Sequence, residues 1–467
     1  MKIITTGLVV DKTTGQPAFT DRSPAGSSVV AMTSDRVDAA TMTTPHTYGP
    51  GRELGGVFLI GFGFFAISVS WASYNAYVPL ILRDLGLSTT AVGAVMALDN
   101  VFGLTLQPLA GMVSDHARSP IGRRLPFILV GAPICALALA AMPAAAGGAT
   151  AGPLIALIVV YTCLMAVWRT PTVALMPDLV ASAHRSRANG VINLMGTLGS
   201  LLLYAVGGLL MARLSYRGPF WLSAVLMVGA VVILALVVRE PGAFRSSGGL
   251  RFVRLGGMVD NPRSLRTWWQ RARAIIAPPL GLGAAQRRSL WFMLGAIFLY
   301  TLGGNALDTF VTTYLHEVLE VPTDRVTGAL VPYVAASILF AIPAGYVGQW
   351  IGRRRSLQIG LVGGAVVFVI MYFVRDVGTL TLLMPVFGVL FITVIVNALP
   401  LVVEMGGAEH TGTLAAYYYL AGSSGAIVSP VVFGFIRDLT GNFSLMFWYA
   451  AAGVPRRGVG VDPGAPR

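Results

Sequence analysis

Three charged side chains lie within long apolar segments, where a charge can do chemistry that a surface charge cannot. They are Asp99 in M-A-L-D-N-V-F-G, Arg169 in V-W-R-T-P-T and Asp308 in N-A-L-D-T-F. Ionisable residues at membrane depth are rare and mark ion or substrate pathways. Removal from water favours the neutral form of a carboxyl group, so Asp99 and Asp308 are candidate proton-coupling residues. Arg169 is a candidate partner for Asp99 or for a substrate, unless its long side chain reaches the membrane surface instead.

Aromatic and amide side chains are grouped in the first apolar segment, as W-A-S-Y-N-A-Y over residues 71–77. The rings and the asparagine together suit a sugar, whose ring has apolar faces and many hydroxyl groups. The alternative for the rings is a belt at the membrane interface, in contact with lipid. The predicted substrate-binding residues are Trp71, Tyr74, Asn75, Tyr77, Arg169 and Asp308.

The composition places these residues in a membrane protein. The 467 residues are 55% hydrophobic and only 11% charged, with a mean hydropathy of +0.72. Soluble domains carry roughly 25% charged residues, so this chain has too few to cover itself with a polar surface. The formal charge of +13 would suggest nucleic acid as a partner of a soluble protein. Here the arginines fall in loops between apolar segments, so we expect the lipid bilayer as the partner and no nucleic acid.

Apolar segments of about 20 residues, long enough to cross a bilayer as helices, recur from residue 55 onward. A twelfth segment begins near Phe443 but ends at Ala452, before G-V-P-R-R-G. Arginine at bilayer depth is costly, so we expect an incomplete last helix and a non-native-looking tail over 453–467, such as a frameshift produces. The eleven predicted full helices are 55–81, 91–114, 125–146, 152–174, 189–212, 219–238, 289–313, 327–349, 356–374, 379–402 and 412–434.

Loops and tails complete the predicted domain organisation. Residues 1–52 are polar and predict a disordered cytoplasmic tail, and 53–238 form a six-helix half. Residues 239–288 are a basic linker, either flexible or lying partly as a helix on the inner leaflet, and 289–452 form the second half. Most loop arginines fall on one side of the predicted membrane, which makes that side and the N-terminus cytoplasmic. We expect a monomer in the plasma membrane.

One interhelical loop occurs twice. Gly111-x-x-x-Asp115 with Gly122-Arg123-Arg124 corresponds to Gly345-x-x-x-Gln349 with Gly352-Arg353-Arg354. Small residues let membrane helices approach closely, and an acid at a helix end can bind the N-terminus of a facing helix. We predict a latch that closes the cytoplasmic side, weaker in the second copy, unless the arginines only set the topology. Its predicted residues are Gly111, Asp115, Arg123, Arg124, Asp178, Gly345, Arg353 and Glu404.

These motifs carry a family resemblance. Q-P-L-A-G-M-V-S-D at 107–115 with S-P-I-G-R-R-L-P-F at 119–127 resembles the sucrose-transporter branch of the major facilitator superfamily, near the glycoside–pentoside–hexuronide symporters. W-R-T-P-T-V-A-L-M-P-D-L at 168–179 and S-R-A-N-G-V-I-N at 186–193 resemble the same branch. The resemblance implies an all-α polytopic membrane protein with two six-helix halves and substrate held between them. Melibiose-type relatives have an aspartate where Gln107 stands, so the departure favours protons over sodium.

The functional expectation is a secondary active transporter for proton-coupled uptake of a disaccharide or related glycoside. The alternatives are a proton antiporter that expels a drug or metabolite, and a non-transporting or inactive membrane protein. No enzyme motif is present: the five histidines are scattered and lack metal-ligand spacing, and the glycine-rich runs lie in apolar segments. We therefore expect no catalytic residue, no metal and no cofactor.

Overall fold

The computed structural model describes residues 53–148, 150–180, 184–240, 245–246, 251–252, 284–404 and 411–453. The predicted tails at 1–52 and beyond residue 453 lie outside this part of the chain, as does most of the predicted linker at 239–288. The two halves are therefore described mainly from their helices.

Almost every described residue belongs to a helix, because a helix satisfies its own backbone hydrogen bonds where no water can do so. Eleven helices of the described part are long and apolar enough to span a membrane. The first half has α1 Glu53–Asp84, α2 Thr89–Met96, α3 Leu98–His116, α4 Leu125–Ala146, α5 Gly152–Leu179, α6 Arg185–Leu214 and α7 Arg217–Val237. The second half has α8 Ala284–Glu317, α9 Val331–Ile351, α10 Arg353–Phe373, α11 Val377–Glu404, α12 Thr411–Thr440 and α13 Leu445–Ala452.

The predicted two-half architecture is confirmed by the packing. In the first half α1 packs on α6, α3 on α5, and α4 on both α5 and α7. The second half repeats these pairs in order, with α8 on α12, α9 on α11, and α10 on both α11 and α13. Helix α13 stands in the position of the twelfth predicted helix, and the described part of the chain ends one residue after it. The same helix pairs recur in the same order in both described halves, so the halves are copies of one helical unit.

The predicted second helix is not continuous. It is divided at Ala97 into α2 and α3, which together form one candidate span, Thr89–His116. Asp99 lies in the first turn of α3, where its carboxylate accepts hydrogen bonds from the backbone N–H of Asn100 at 2.6 Å and from its side-chain amide at 2.7 Å. Ala97 keeps helical dihedral angles, φ −68° and ψ −17°; its N–H donates to the Gly93 carbonyl at 2.9 Å and its carbonyl accepts from the Val101 N–H at 3.1 Å. The chain therefore stays helical across this short interruption.

The loop between α3 and α4 is joined to the start of the linker. Strand β1, Ala117–Arg118, pairs antiparallel with β2, Arg251–Phe252, and the N–H of Ser246 donates to the carbonyl of Ser119 at 3.0 Å. The described parts of the linker therefore pack against the repeated arginine motif.

Candidate functional site

A cavity of about 370 Å³ lies between the two halves. Its size is at the lower end of the range for small-molecule sites, roughly 300–1,000 Å³. It is lined by α1 and α6 from the first half and by α8, α9 and α11 from the second. Its lining residues are Phe64, Ser68, Asn75, Asn193, Gly196, Thr197, Ser200, Tyr204, Leu307, Asp308, Val311, Leu330, Tyr333, Val334, Ser337, Met384, Phe387, Phe391 and Ile392.

Two of the predicted substrate-binding residues, Asn75 and Asp308, line this cavity from opposite halves. The Asp308 carboxylate forms no ion pair or hydrogen bond with another residue of the described chain, and it is exposed to the cavity. One amide and one acid thus face the same space, among hydroxyl groups and aromatic rings.

The other predicted aromatic residues, Trp71, Tyr74 and Tyr77, do not line the cavity. Tyr74 stacks on Tyr161 with ring centroids 5.2 Å apart, and Trp71 contacts both rings edge-on at 5.5 and 6.0 Å. The Tyr77 hydroxyl lies 3.4 Å from the Thr327 hydroxyl, near one end of the bundle. Tyr74 and Tyr77 are fully buried, and Trp71 is partly buried. None of the three rings lines the cavity in this structure, and their role in substrate binding stays a prediction.

Helix α6 supplies polar cavity residues that the sequence analysis missed. Asn193, Thr197, Ser200 and Tyr204 are spaced at intervals of three or four and form one stripe along the cavity. This spacing of polar residues in an otherwise apolar helix is visible in the sequence and predicts the face of α6 that lines the cavity.

Arg169 and Asp99 lie within electrostatic range of each other inside the first half. Their charges interact electrostatically without the short contact of a salt bridge. Neither residue lines the cavity. The structure therefore places the predicted proton-coupling residues at two sites, with Asp308 in the cavity and Asp99 beside Arg169.

The predicted acid–arginine pairs of the loop motif are present. Asp178 at the end of α5 accepts from the Arg123 guanidinium at 2.6 and 3.1 Å and from Arg124 Nε at 3.0 Å. Arg124 also donates to Ser114 Oγ at 2.5 Å and to the Asp115 carboxylate. Within the described chain the Asp115 side chain is therefore bonded inside its own half, through Arg124. In the second half Arg353 pairs with Glu404, and both side chains are more exposed than those of the first copy.

The two motif glycines occupy equivalent places. A Cβ on Gly111 would lie 3.3 Å from the Thr170 side chain of α5, and one on Gly345 would lie 3.7 Å from the Val396 side chain of α11. Each glycine therefore allows the second and fourth helices of its half to pack closely, as small residues do in membranes.

Glu240 was missed because it follows α7 in a segment assigned to the basic linker. Its carboxylate accepts hydrogen bonds from the backbone N–H groups of Arg123, Arg124 and Leu125, each at 2.8 Å. It therefore caps the N-terminus of α4. Burial raises the pKa of Glu240, and the three amide donors oppose that shift. Gly122 adopts φ +123°, and a Cβ there would lie 2.4 Å from the Glu240 carboxyl carbon.

Replacing Glu240 by glutamine is expected to lower the stability of the detergent-solubilised protein by about 1–2 kcal/mol. The new NH₂ group would face one of the three amide N–H groups and leave it without an acceptor. A thermal melt followed by intrinsic fluorescence measures the loss. The neighbouring exposed residue gives the control, since Arg239→Gln should leave the melting temperature unchanged. Equal melting temperatures for both variants would contradict the capping role.

The halves are joined at the end of the bundle opposite the arginine motifs, here called the opposite end. The Arg83 guanidinium binds Glu317 at 2.7 and 3.2 Å, and Arg437 binds the same carboxylate at 3.1 Å. Asp438, at the end of α12, accepts from the N–H groups of Thr89 and Thr90 at 3.0 and 2.8 Å and from the Thr90 hydroxyl at 2.7 Å. An acid of one half therefore caps the N-terminus of α2 in the other half.

Backbone packing reinforces the same contact. Helix α2 lies so close to α12 that a Cβ on Gly93 would be 2.2 Å from the Pro430 carbonyl oxygen. On the other side of the cavity, a Cβ on Gly208 of α6 would be 2.1 Å from the Asp324 carbonyl oxygen. The opposite end is therefore closed on both sides of the cavity.

Two like halves around a shared polar cavity, closed at one end by paired side chains, define a multi-pass membrane transporter and not an enzyme. Within the described residues no cluster of three or more His, Cys, Asp or Glu side chains could hold a metal ion. The family model of the Major Facilitator Superfamily matches residues 60–430, and the chain belongs to that superfamily.

Known proteins similar to this chain include sugar transporters. The chain is 30% identical over 172 residues to the human (Homo sapiens) "Proton-associated sugar transporter A", covering 34% of this chain and 23% of that protein. It is 27% identical over 180 residues to the "Maltose permease" of Geobacillus stearothermophilus, covering 38% and 42% of the two chains. The matched segments thus span less than half of either relative.

A solved structure is similar over a larger share of the fold. A bacterial homologue of the human lysosomal transporter Spinster, in an inward-facing and unoccupied conformation, aligns with a TM-score of 0.62 at 14% identity. The alignment covers 84% of each chain. At this identity the likeness shows the fold, which confirms the predicted major facilitator architecture.

Proposed function

We propose that this transporter moves a disaccharide or related glycoside across the membrane together with a proton. The observation that carries the proposal is the cavity, in which the Asn75 amide, the Asp308 carboxylate and several hydroxyl groups face aromatic rings. Hydroxyl and amide groups can exchange hydrogen bonds with a sugar, and rings can cover its apolar faces. The relatives named as a proton-associated sugar transporter and a maltose permease support the same substrate class.

Asp308 is the proposed proton-binding group within the cavity. It is an acid at membrane depth, it faces the cavity, and it has no cationic partner in the described chain. A proton can neutralise it without displacing a fixed ion pair. Asp99, which interacts with Arg169 outside the cavity, is the second proposed coupling residue, and Arg169 would adjust to its charge.

The arginine-rich end is proposed to be cytoplasmic, following the positive-inside rule. On that assignment the ion pairs of the opposite end close the extracellular side, so the structure corresponds to an inward-facing state. The proposed cycle then alternates between this closure and a cytoplasmic latch built on Arg123, Arg124 and Asp178. Asp115, whose side chain is half exposed here, is positioned to meet the second half when the cytoplasmic side closes. A monomer in the plasma membrane is sufficient for this cycle.

Reconstitution tests the proposed function directly. Purified full-length protein in proteoliposomes, with a more acidic exterior, should accumulate radiolabelled maltose or sucrose above the external concentration. Accumulation should cease when a protonophore collapses the pH gradient. Equal uptake with and without the gradient would contradict proton coupling, and no uptake of either sugar would contradict the proposed substrate class.

Asp438→Asn is expected to loosen the extracellular closure. Asparagine keeps one acceptor oxygen at the N-terminus of α2 but loses the charge and the other acceptor. This loss should destabilise the closed state by about 1.4 kcal/mol, which raises the population open to the extracellular side about tenfold. The measurement is the labelling rate of Ser337→Cys, in the cavity wall, by an external impermeant maleimide. Cys135 and Cys163 are replaced by alanine in this background.

A matched control is available at the same end of the protein. Asp376 also accepts from a helix N-terminal N–H, that of Thr379 at 2.7 Å, but within one half. Asp376→Asn should therefore leave the labelling rate of Ser337→Cys unchanged. If both variants accelerate labelling equally, the Asp438 contact is not specific to closure.

A further inference from the structure

The charge of Asp308 has no counterpart in the wall of its cavity. Across the lining residues there is no lysine, arginine or histidine, and Asp308 is the single acid. The tyrosines that lie near its carboxylate are Tyr204 from α6, Tyr333 from α9 and Tyr300 from its own helix. Phenol groups are neutral in the working range, since their ordinary pKa is about 10. Whatever neutralises this carboxylate must therefore come from the contents of the cavity.

Aromatic rings surround the same space. Tyr333 stacks on Phe387 with centroids 5.3 Å apart and an interplanar angle of 17°, and Phe391 contacts both rings at 5.8 Å. Phe64 from α1 and Tyr204 from α6 line the same cavity from the other half. The negative faces of aromatic rings attract cations, most strongly where water is excluded. An unpaired carboxylate in a cavity lined by aromatic rings is thus the chemistry that recognises an organic ammonium group.

We propose that the cavity selects its ligands by charge. It binds a glycoside that carries a protonated amine in preference to the same glycoside with an uncharged, acetylated amine. The ammonium group would occupy the place of the proton on Asp308, with the rings around it. Anionic sugars would be excluded, because nothing in the described wall offsets a second negative charge. This inference rests on the proposed function for the sugar part of the ligand, but the ammonium site can be tested without any sugar.

The test compares 2-aminoethyl β-glucoside with its N-acetyl form, by calorimetric titration of the purified full-length protein in detergent. The pair shares one sugar and differs in charge. A charge-assisted hydrogen bond predicts about tenfold tighter binding of the amine. In Asp308→Asn the ratio of the two affinities, amine to N-acetyl form, should fall to about one, while the N-acetyl form keeps its wild-type affinity. Glu320→Gln, which removes an exposed acid outside the cavity, should leave the ratio unchanged.

Tetraethylammonium separates this inference from the proposed function. If neither glucoside binds but tetraethylammonium binds to the wild type and not to Asp308→Asn, the cation site stands and the glycoside assignment fails. If the N-acetyl form binds as tightly as the amine, the selection by charge is overturned. A preference for the amine that persists in Asp308→Asn overturns the assignment to this carboxylate.

Discussion

Asp178→Ala is expected to abolish transport and to lower the stability of the protein by about 3 kcal/mol, because it removes one carboxylate shared by two nearly buried guanidinium groups. Asp178 is bonded to Arg123 and Arg124, whose side chains are 16% and 5% exposed. This network joins α3, α4 and α5 at the arginine-rich end, and those helices must move as one body for the cavity to change sides. The measurements are sugar uptake in proteoliposomes and the melting temperature in detergent.

The second copy of the motif supplies the control. Glu404 pairs with Arg353 in the equivalent position, but the two side chains are 56% and 33% exposed. Exposed ion pairs contribute about 0–1 kcal/mol, so Glu404→Ala should change the melting temperature little. If Glu404→Ala were as damaging as Asp178→Ala, the importance of the first network would not come from its burial. Wild-type transport by Asp178→Ala at normal abundance would contradict the latch.

The helices could be predicted closely because membrane insertion imposes one strong rule. A segment needs about 20 apolar residues to cross the bilayer, and the predicted segment 125–146 coincides with α4, Leu125–Ala146. The break at Ala97 could not be predicted in this way. Neither glycine nor proline marks it, and α2 is held by tertiary contacts to α12, including those of Gly93 and Asp438.

The cavity lining was predicted only in part, because candidate residues were chosen by their type and not by the helix face on which they lie. Phe64, Ser68 and Asn75 are spaced by four and seven and share the face of α1 that lines the cavity. Tyr74 and Tyr77 lie on another face. Trp71, three positions after Ser68 and four before Asn75, shares the cavity-side face, but its ring packs on Tyr74 and Tyr161. Both stripes are readable in the sequence. The sequence alone does not show which stripe faces the cavity, because that depends on how α1 packs against α6 and α7.

The acid that caps α4 illustrates a second limit. Glu240 is 2% exposed, although it directly follows Arg239 at the start of an arginine-rich segment. Its partners are backbone N–H groups more than 100 positions earlier. Because nearly every residue has a backbone N–H group, the sequence does not indicate which ones bind Glu240. A lone glutamate directly after a membrane helix was the available signal, and only the tertiary structure shows what it binds.

Asp308→Asn is expected to uncouple transport from the proton gradient. Asparagine has nearly the same shape as aspartate and can keep hydrogen bonds to a sugar, but it carries no ionisable proton. Gradient-driven accumulation should therefore fall at least tenfold, while exchange of labelled for unlabelled sugar across the membrane should persist. Both quantities can be measured in the same proteoliposomes, with and without an imposed pH gradient. Loss of accumulation together with exchange would instead assign Asp308 to substrate binding alone.

Asp99→Asn distinguishes the two candidate coupling sites. Asp99 lies beside Arg169 and away from the cavity lining, so its neutralisation should leave the Arg169 charge uncompensated and slow both accumulation and exchange. Opposite patterns in the two variants would separate a proton carried with the substrate from a charge pair that supports the conformational change. Full proton-driven accumulation in both variants would contradict both assignments, and the proton would then have to bind outside the two membrane-embedded aspartates.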